Sequence, residues 1–220
     1  SMSPRITVLP TIPDLAALQR RDRARFPCLL QSLATAPRTG RWDLLFVHVG
    51  RRAALTALAP LPDWVAAVLA EPLPRPAVEL PFVGGVVLLA SYELAQRFEP
   101  TLELPADGNR LPALSVLETP AAVLVDRQSG QALLVSAAGH EALHDTLLTE
   151  LAEAETAGIG PAIASPPPVF TIDEDPPQAF LDGVAAIREF IAAGDVFQVN
   201  LSRAWRATAA ETLDPLDLYT

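Results

Sequence analysis

The chain has 220 residues, half of them apolar and 19% charged, which describes a globular polypeptide with material for one large core or two small ones. Its 16 basic residues, every one an Arg, face 26 acidic ones for a net charge of −10, a balance that speaks against a nucleic-acid binder or a basic membrane-surface protein. The lack of Lys removes a Walker-type phosphate loop and any Lys-based Schiff-base or nucleophile chemistry from this segment.

Arg5 to Leu9 reads as a short strand and Pro13 to Arg20 as a short helix. Phe26 to Leu33 and Trp42 to Val49 are rich in β formers. The turn residues Pro37-Arg38-Thr39-Gly40 between them make them antiparallel neighbours. The one cysteine, Cys28, sits in the first of these runs as a small buried hydrophobe. A lone Cys leaves no disulfide framework or Cys-rich zinc module, and it fits a reducing cytoplasm. Leu61 to Ala70 is helical, with Trp64, Val65, Val68 and Leu69 on one stripe. Pro72, Pro74 and Pro76 then enforce an extended connector.

Leu80 to Ala90 is the longest apolar stretch. Pro81, Gly84 and Gly85 interrupt it, and it is shorter than the roughly 18 residues that cross a bilayer. Gly84 to Ala90 reads as a buried strand and Tyr92 to Phe98 as a helical turn. Leu114 to Val125 and Gln131 to Ser136 are two strands joined by a hairpin loop at residues 126–130, with Gly130 suited to a left-handed position. Glu141 to Glu155 is an amphipathic helix carrying Leu143, Leu147 and Leu151. Ala157 to Pro168 is a Gly/Ala/Pro-rich linker and the best domain boundary.

Beyond it, Asp175-Pro176-Pro177-Gln178 is a helix start with Asp175 as N-cap. Phe180, Val184, Ile187 and Ile191 repeat at helical spacing, and Gly194 ends the helix. Val196 to Arg206 alternates as a strand, with Phe197, Val199, Leu201 and Trp205 on one face and Gln198, Asn200 and Ser202 on the other. Asp214-Pro215 is another helix start with only five residues after it, which suggests a chain cut inside a larger protein.

His140-Glu141-Ala142-Leu143-His144 matches the H-E-x-x-H zinc-hydrolase pattern. It follows a strand and Gly139 directly, so both His fall in the first turn, and no third ligand from a separate element is evident. A solvated helix start is the plainer reading. His48 is a structural strand residue. Arg20, Arg21, Arg23 and Arg25 form a solvated face. Gly84-Gly85 marks a bulge or a close backbone approach.

Several segments together resemble component I of the chorismate-utilising enzymes. Ile187 to Arg203, containing Ile191-Ala192-Ala193-Gly194-Asp195-Val196-Phe197-Gln198-Val199-Asn200-Leu201-Ser202, is similar to that family's "I-x-x-G-D-x-(Y/F)-Q-V-N-L-(S/A)" entry to the chorismate-binding domain. Leu80-Pro81-Phe82-Val83-Gly84-Gly85, followed by Ser91-Tyr92-Glu93-Leu94 and Arg97-Phe98-Glu99, is similar to "L-P-F-x-G-G…G-Y-D-L-x-R-R-F-E". Leu29-Leu30-Gln31-Ser32 and Arg41-Trp42-Asp43 are similar to "L-L-x-S…R-(F/Y)" of the amino-terminal domain. Ser91 and Glu93 depart from the usual Gly and Asp.

The resemblance implies an α+β fold: a two-sheet antiparallel β-sandwich with helices outside, as in anthranilate synthase component I, truncated. It implies an amino-terminal, tryptophan-binding-like domain over residues 1–165 and the start of a chorismate-binding domain over 166–220. Leu30, Ser32, Arg41 and Trp42 match the tryptophan-site positions. An apolar wall, a hydroxyl and a cation suit an amino acid. Gln31 stands where anthranilate synthases carry Glu, and Asp43 also leans toward the aminodeoxychorismate branch.

The implied function is aminodeoxychorismate synthase component I: conversion of chorismate and ammonia to 4-amino-4-deoxychorismate for para-aminobenzoate and folate synthesis, with ammonia from a glutamine amidotransferase subunit. The Mg2+ ligands and the catalytic groups of that family lie further toward the C-terminus, so no catalytic or metal residue is expected here and the 220 residues alone are expected to be inactive. Unpaired strand edges are expected to drive association with another copy, or to leave only the first domain native. Anthranilate synthase component I and a stand-alone amino-acid-binding regulatory module remain alternatives.

Overall fold

The computed structural model describes residues 3–32, 34, 39–72, 79–104, 111–158 and 168–219. The chain divides into two compact units, Ser1–Ala162 and Ile163–Thr220. Most of the linker expected at 157–168, the turn at 37–38 and the proline connector at 73–78 lie outside the described residues.

The first unit is built on two antiparallel sheets. Strands β1 (Arg5–Val8), β2 (Cys28–Leu30), β3 (Trp42–Val47), β7 (Ala121–Asp126) and β8 (Gln131–Ser136) form a five-stranded sheet in the order β1-β8-β7-β3-β2. Strands β4 (Arg52–Leu55), β5 (Gly85–Ala90) and β6 (Leu114–Thr119) form a three-stranded sheet in the order β4-β6-β5. Helices α1 (Leu15–Arg21), α2 (Asp63–Ala70) and α4 (Glu141–Thr156) and the short α3 (Ala95–Phe98) complete the unit. The strands and helices expected from the sequence are largely present, and neither sheet closes into a barrel.

Alternation along β7 explains the layering. Ala121, Val123 and Val125 join Leu15 and Leu18 of α1 and Leu147 and Leu151 of α4 in one core. Ala122 and Leu124 point the other way, into a second core with Phe46, Phe82, Val83 and Val87. The rings of Phe46 and Phe82 meet edge to face, 5.0 Å apart. A strand covered on both faces can be apolar throughout, and all six residues of β7 are buried. A third, smaller core packs Val65 of α2 on Leu114 and Val116 of β6.

Two expectations change here. Leu114 to Val125 is not one strand: it breaks at Pro120 into β6 and β7, which belong to different sheets. Proline cannot donate into a central ladder, so the chain turns the corner there. Its carbonyl still accepts from Ala137 N at 2.7 Å. Nor is Gly85–Ala90 a buried strand, because β5 forms a sheet edge and leaves Leu88 and Leu89 46% and 58% exposed. Gly84 does mark a close approach: at φ 109° its position for a Cβ lies 2.5 Å from the Ala137 Cβ.

The second unit holds β9 (Phe170–Glu174), α5 (Pro177–Ala193), β10 (Trp205–Ala209) and α6 (Pro215–Tyr219), with β9 and β10 paired antiparallel. Helix α5 begins after Pro176 without a side-chain cap and ends at Gly194, which is left-handed at φ 82°. Asp175 is not its N-cap. Its carboxylate accepts instead from Ala204 N at 3.0 Å and Arg206 Nη1 at 2.8 Å, because the ribbon register draws it toward β10. The strand expected over Val196–Arg206 is confined to Trp205–Ala209; residues 196–204 pair with no strand among the described residues and instead pass by α5, where Leu201 Cδ2 comes within 3.0 Å of a Cβ built on Gly183. The alternation of Phe197, Val199 and Leu201 is therefore irregular chain, not a sheet face.

Candidate functional site

The four positions read as an amino-acid site lie at one end of the five-stranded sheet. Leu30 ends β2 and pairs with Leu44. Trp42 opens β3 opposite Asp126, the last residue of β7. Arg41 immediately precedes that strand, and Arg127 N donates to its carbonyl at 2.8 Å.

Arg41 is the electrostatic centre. Its Nε and Nη2 donate to the two Asp126 carboxylate oxygens at 3.1 and 2.7 Å, a two-point geometry that suits guanidinium. The guanidinium carbon stands 4.8 Å from the Trp42 ring centroid, within cation–π range. Asp126 is buried, and the guanidinium holds its carboxyl down at about 2, helped by the Gln128 and Ser129 backbone amides. Trp42 packs into the second core beside Cys28 and Leu44.

Ser32 joins this group. The Arg127 guanidinium donates to its carbonyl, and its Oγ lies 3.0 Å from the Cβ position of Gly40. Its backbone N donates to Asp43 Oδ1 at 3.4 Å, and Gln31 Nε2 donates to Asp43 Oδ2 at 3.5 Å. Ser32, Arg41 and Trp42 are thus neighbours. Leu30 is 52% exposed and its side chain is not part of the apolar cores. Asp126 and Arg127 are the residues that sequence reasoning left in a hairpin loop. An Asp opening a turn that ends in Gly is the available signal, since its side chain caps the amides two and three residues on.

Asp126 and Arg41 thus satisfy one another across the adjoining ends of β7 and β3. Elsewhere in the first unit a cavity of about 350 Å3 lies between the start of α1 and the end of α4, lined by Leu9, Ile12, Ala17, Leu148, Leu151 and Glu155 among others. It shares no residue with the sheet-end group.

The His-Glu-x-x-His segment opens α4. His140 flanks the start of α4. His144 is fully buried, with Nδ1 2.8 Å from Ser136 Oγ and Nε2 2.8 Å from Thr7 Oγ1. It is not part of a solvated helix start, because α4 turns this position onto β1 and β8. Burial pushes the imidazole below its usual range; Arg5 adds to the effect and Asp145 opposes it. His48 lies one residue beyond β3, its Nδ1 2.7 Å from the Glu118 carbonyl. Arg25 leaves the solvated Arg set to pair with Glu150 at 2.9 Å. Cys28 is half-buried, and desolvation raises its thiol pKa. Among the described residues, no group of three or more His, Cys, Asp or Glu could hold a metal ion, and no helix is long and apolar enough to cross a membrane.

Comparison with known proteins converges on one family. The family profile described as chorismate binding enzyme matches residues 47–220. Aminodeoxychorismate synthase component 1 of Escherichia coli (strain K12) is 28% identical over 135 residues, covering 59% of this chain and 27% of that protein. The crystal structure of anthranilate synthase component I from Streptococcus pneumoniae TIGR4 superposes with a TM-score of 0.61 at 21% identity, covering 86% of this chain and 46% of that one. This chain therefore spans under half the length of these relatives and shares the fold of the second. With 47–220 matched, the chain belongs to the chorismate binding enzymes.

Proposed function

We propose that these residues are the amino-terminal part of an aminodeoxychorismate synthase component I, and that the complete protein replaces the 4-hydroxyl of chorismate by ammonia, releasing water and giving 4-amino-4-deoxychorismate. The supporting observation is the Gln31–Asp43 contact at the sheet end. Gln31 replaces the Glu of anthranilate synthases, and its amide can donate to a carboxylate that a Glu would repel. The two residues that lean toward the aminodeoxychorismate branch thus face each other at the sheet end. The likeness to the Escherichia coli protein points the same way.

In this reading residues 1–165 form a tryptophan-binding-like domain and residues 166–220 open the chorismate-binding domain. Leu30, Ser32, Arg41 and Trp42 line the amino-acid site, where Arg41 Nη1 would meet the ligand carboxylate. Chorismate, a cytoplasmic setting and a glutamine amidotransferase partner follow from the same assignment. Magnesium belongs to the family's chemistry, but the described acidic residues do not gather into a cation site, and no step through it is assigned to them.

The test is complementation. The gene encoding the complete protein, expressed in a bacterium lacking its own aminodeoxychorismate synthase component, restores growth without para-aminobenzoate. Rescue of a tryptophan-requiring strain lacking anthranilate synthase, with no rescue of the first, would transfer the chain to the anthranilate branch.

A further inference from the structure

The cavity of about 350 Å3 between the start of α1 and the end of α4 lies wholly within the first unit. Its floor belongs to the first core: Leu9, Leu18, Leu151 and Ala154 line it, and each is 9% exposed or less. Ile12 also lines it and is 54% exposed, so the apolar lining runs from the core out to solvent. The sequence keeps this volume open. Pro10 and Pro13 bracket the link from β1 to α1, where a fixed φ and a missing N–H prevent either element from extending across it. Ala17 of α1 and Ala152 of α4 face the gap with side chains too small to fill it. The charge of the lining is of one sign: Asp14 and Glu155 contribute carboxylates, and no Arg or His lines the cavity. Asp14 is partly satisfied, because it is the N-cap of α1 and accepts from Ala17 N at 2.9 Å. Glu155 has the opposite setting. It lies in the last turn of the 16-residue α4, which has no basic residue there. The carbonyl end of a helix carries partial negative charge, so a carboxylate at that place is unfavourable until a cation joins it.

We propose that this cavity binds a small free amine, with its apolar body on the floor of Leu9, Leu18 and Leu151 and its ammonium at Glu155 and the end of α4. Size is the first reason. An apolar cavity of ~150 Å3 holds benzene, and about 350 Å3 stands at the lower end of small-molecule sites. A single ring on a short chain fits, and a peptide segment does not. Charge is the second. Two carboxylates and a helix carbonyl end attract a cation and repel carboxylates and phosphates, so chorismate, a dicarboxylate, is disfavoured here. The sheet-end group carries Arg41 instead, and the two places therefore select ligands of opposite charge. The amine replaces the missing basic residue of the last turn of α4 while its body covers apolar side chains that otherwise face water.

Calorimetric titration of the complete protein with 2-phenylethylamine, 2-phenylethanol and phenylacetate reads this directly, because the three share a ring and differ in head group. The amine should bind about tenfold or more tightly than the alcohol, phenylacetate should not bind, and the amine's affinity should fall as salt is added. Glu155→Gln, at an exposed helical position, should weaken the amine by about three- to tenfold, the effect of one charge near a helix end, and leave the alcohol unchanged. Ala17→Leu, which keeps a good helix former in α1, should fill the cavity and remove both, with an unchanged circular dichroism spectrum. No binding of the amine, equal affinity for all three compounds, or an amine affinity that either substitution leaves unchanged would each overturn the proposal.

Discussion

The Asp126 carboxylate accepts from Arg41 Nε and Nη2 and from the Gln128 and Ser129 amides, so it links the two strand ends that frame the candidate site. Asp126→Asn keeps the shape and loses the charge. It should cost about 1.5–3 kcal/mol, the range for hydrogen bonds to a charged group, measured by urea unfolding at neutral pH. The folded carboxyl titrates at about 2 against 3.8. Its contribution is therefore complete above about 4 and is lost as the pH falls toward about 2; the variant should lack that acid limb. His144 works with the opposite starting charge. Its buried imidazole is neutral and its folded pKa lies below the ordinary 6.5, so the unfolded chain takes up the proton first. Stability is full above 6.5 and declines as the pH drops below it. His144→Asn should flatten that slope between neutral and mildly acidic pH, and an unchanged slope would show that another group sets it. Neither role was legible in the sequence. Asp126 read as a turn residue because its partner is 85 positions away, and His144 read as solvated because only tertiary packing turns it inward.

Among the elements, the helices and the apolar strands of the five-stranded sheet were readable, and the break between β6 and β7 was not. Leu143, Leu147 and Leu151 marked α4, and two of the three are buried in the first core. Leu147→Ala should cost about 2–5 kcal/mol, which chemical denaturation will show. Gly84 was flagged for a close approach, and the structure supplies the neighbour, Ala137. Gly84→Ala combines a positive φ with a contact too short for two methyl groups, so a loss of about 1–3 kcal/mol is expected; a neutral effect would mean that the β5 entry relaxes freely. Pro120 was available as a signal but hidden in a continuous β-forming run. Alternation also misplaced the strand after α5: residues 196–204 have the right pattern, but β9 offers only five positions, and they pair with Trp205–Ala209.

At the scale of the whole molecule, the motifs led to the chorismate enzymes, whose profile matches from residue 47 onward. The antiparallel sheets with helices outside follow from two-sided burial of β7 and one-sided helices, and they agree with the fold of the Streptococcus pneumoniae relative. The sheet-end group needed the structure, because Ser32, Arg41 and Arg127 meet only through strand pairing. The most direct test is the product made by the complete protein from chorismate and isotopically labelled ammonium, identified by mass spectrometry. The account predicts label in a product that keeps its enolpyruvyl group and has lost only the hydroxyl. Release of pyruvate with label in anthranilate, or no consumption of chorismate, would contradict it.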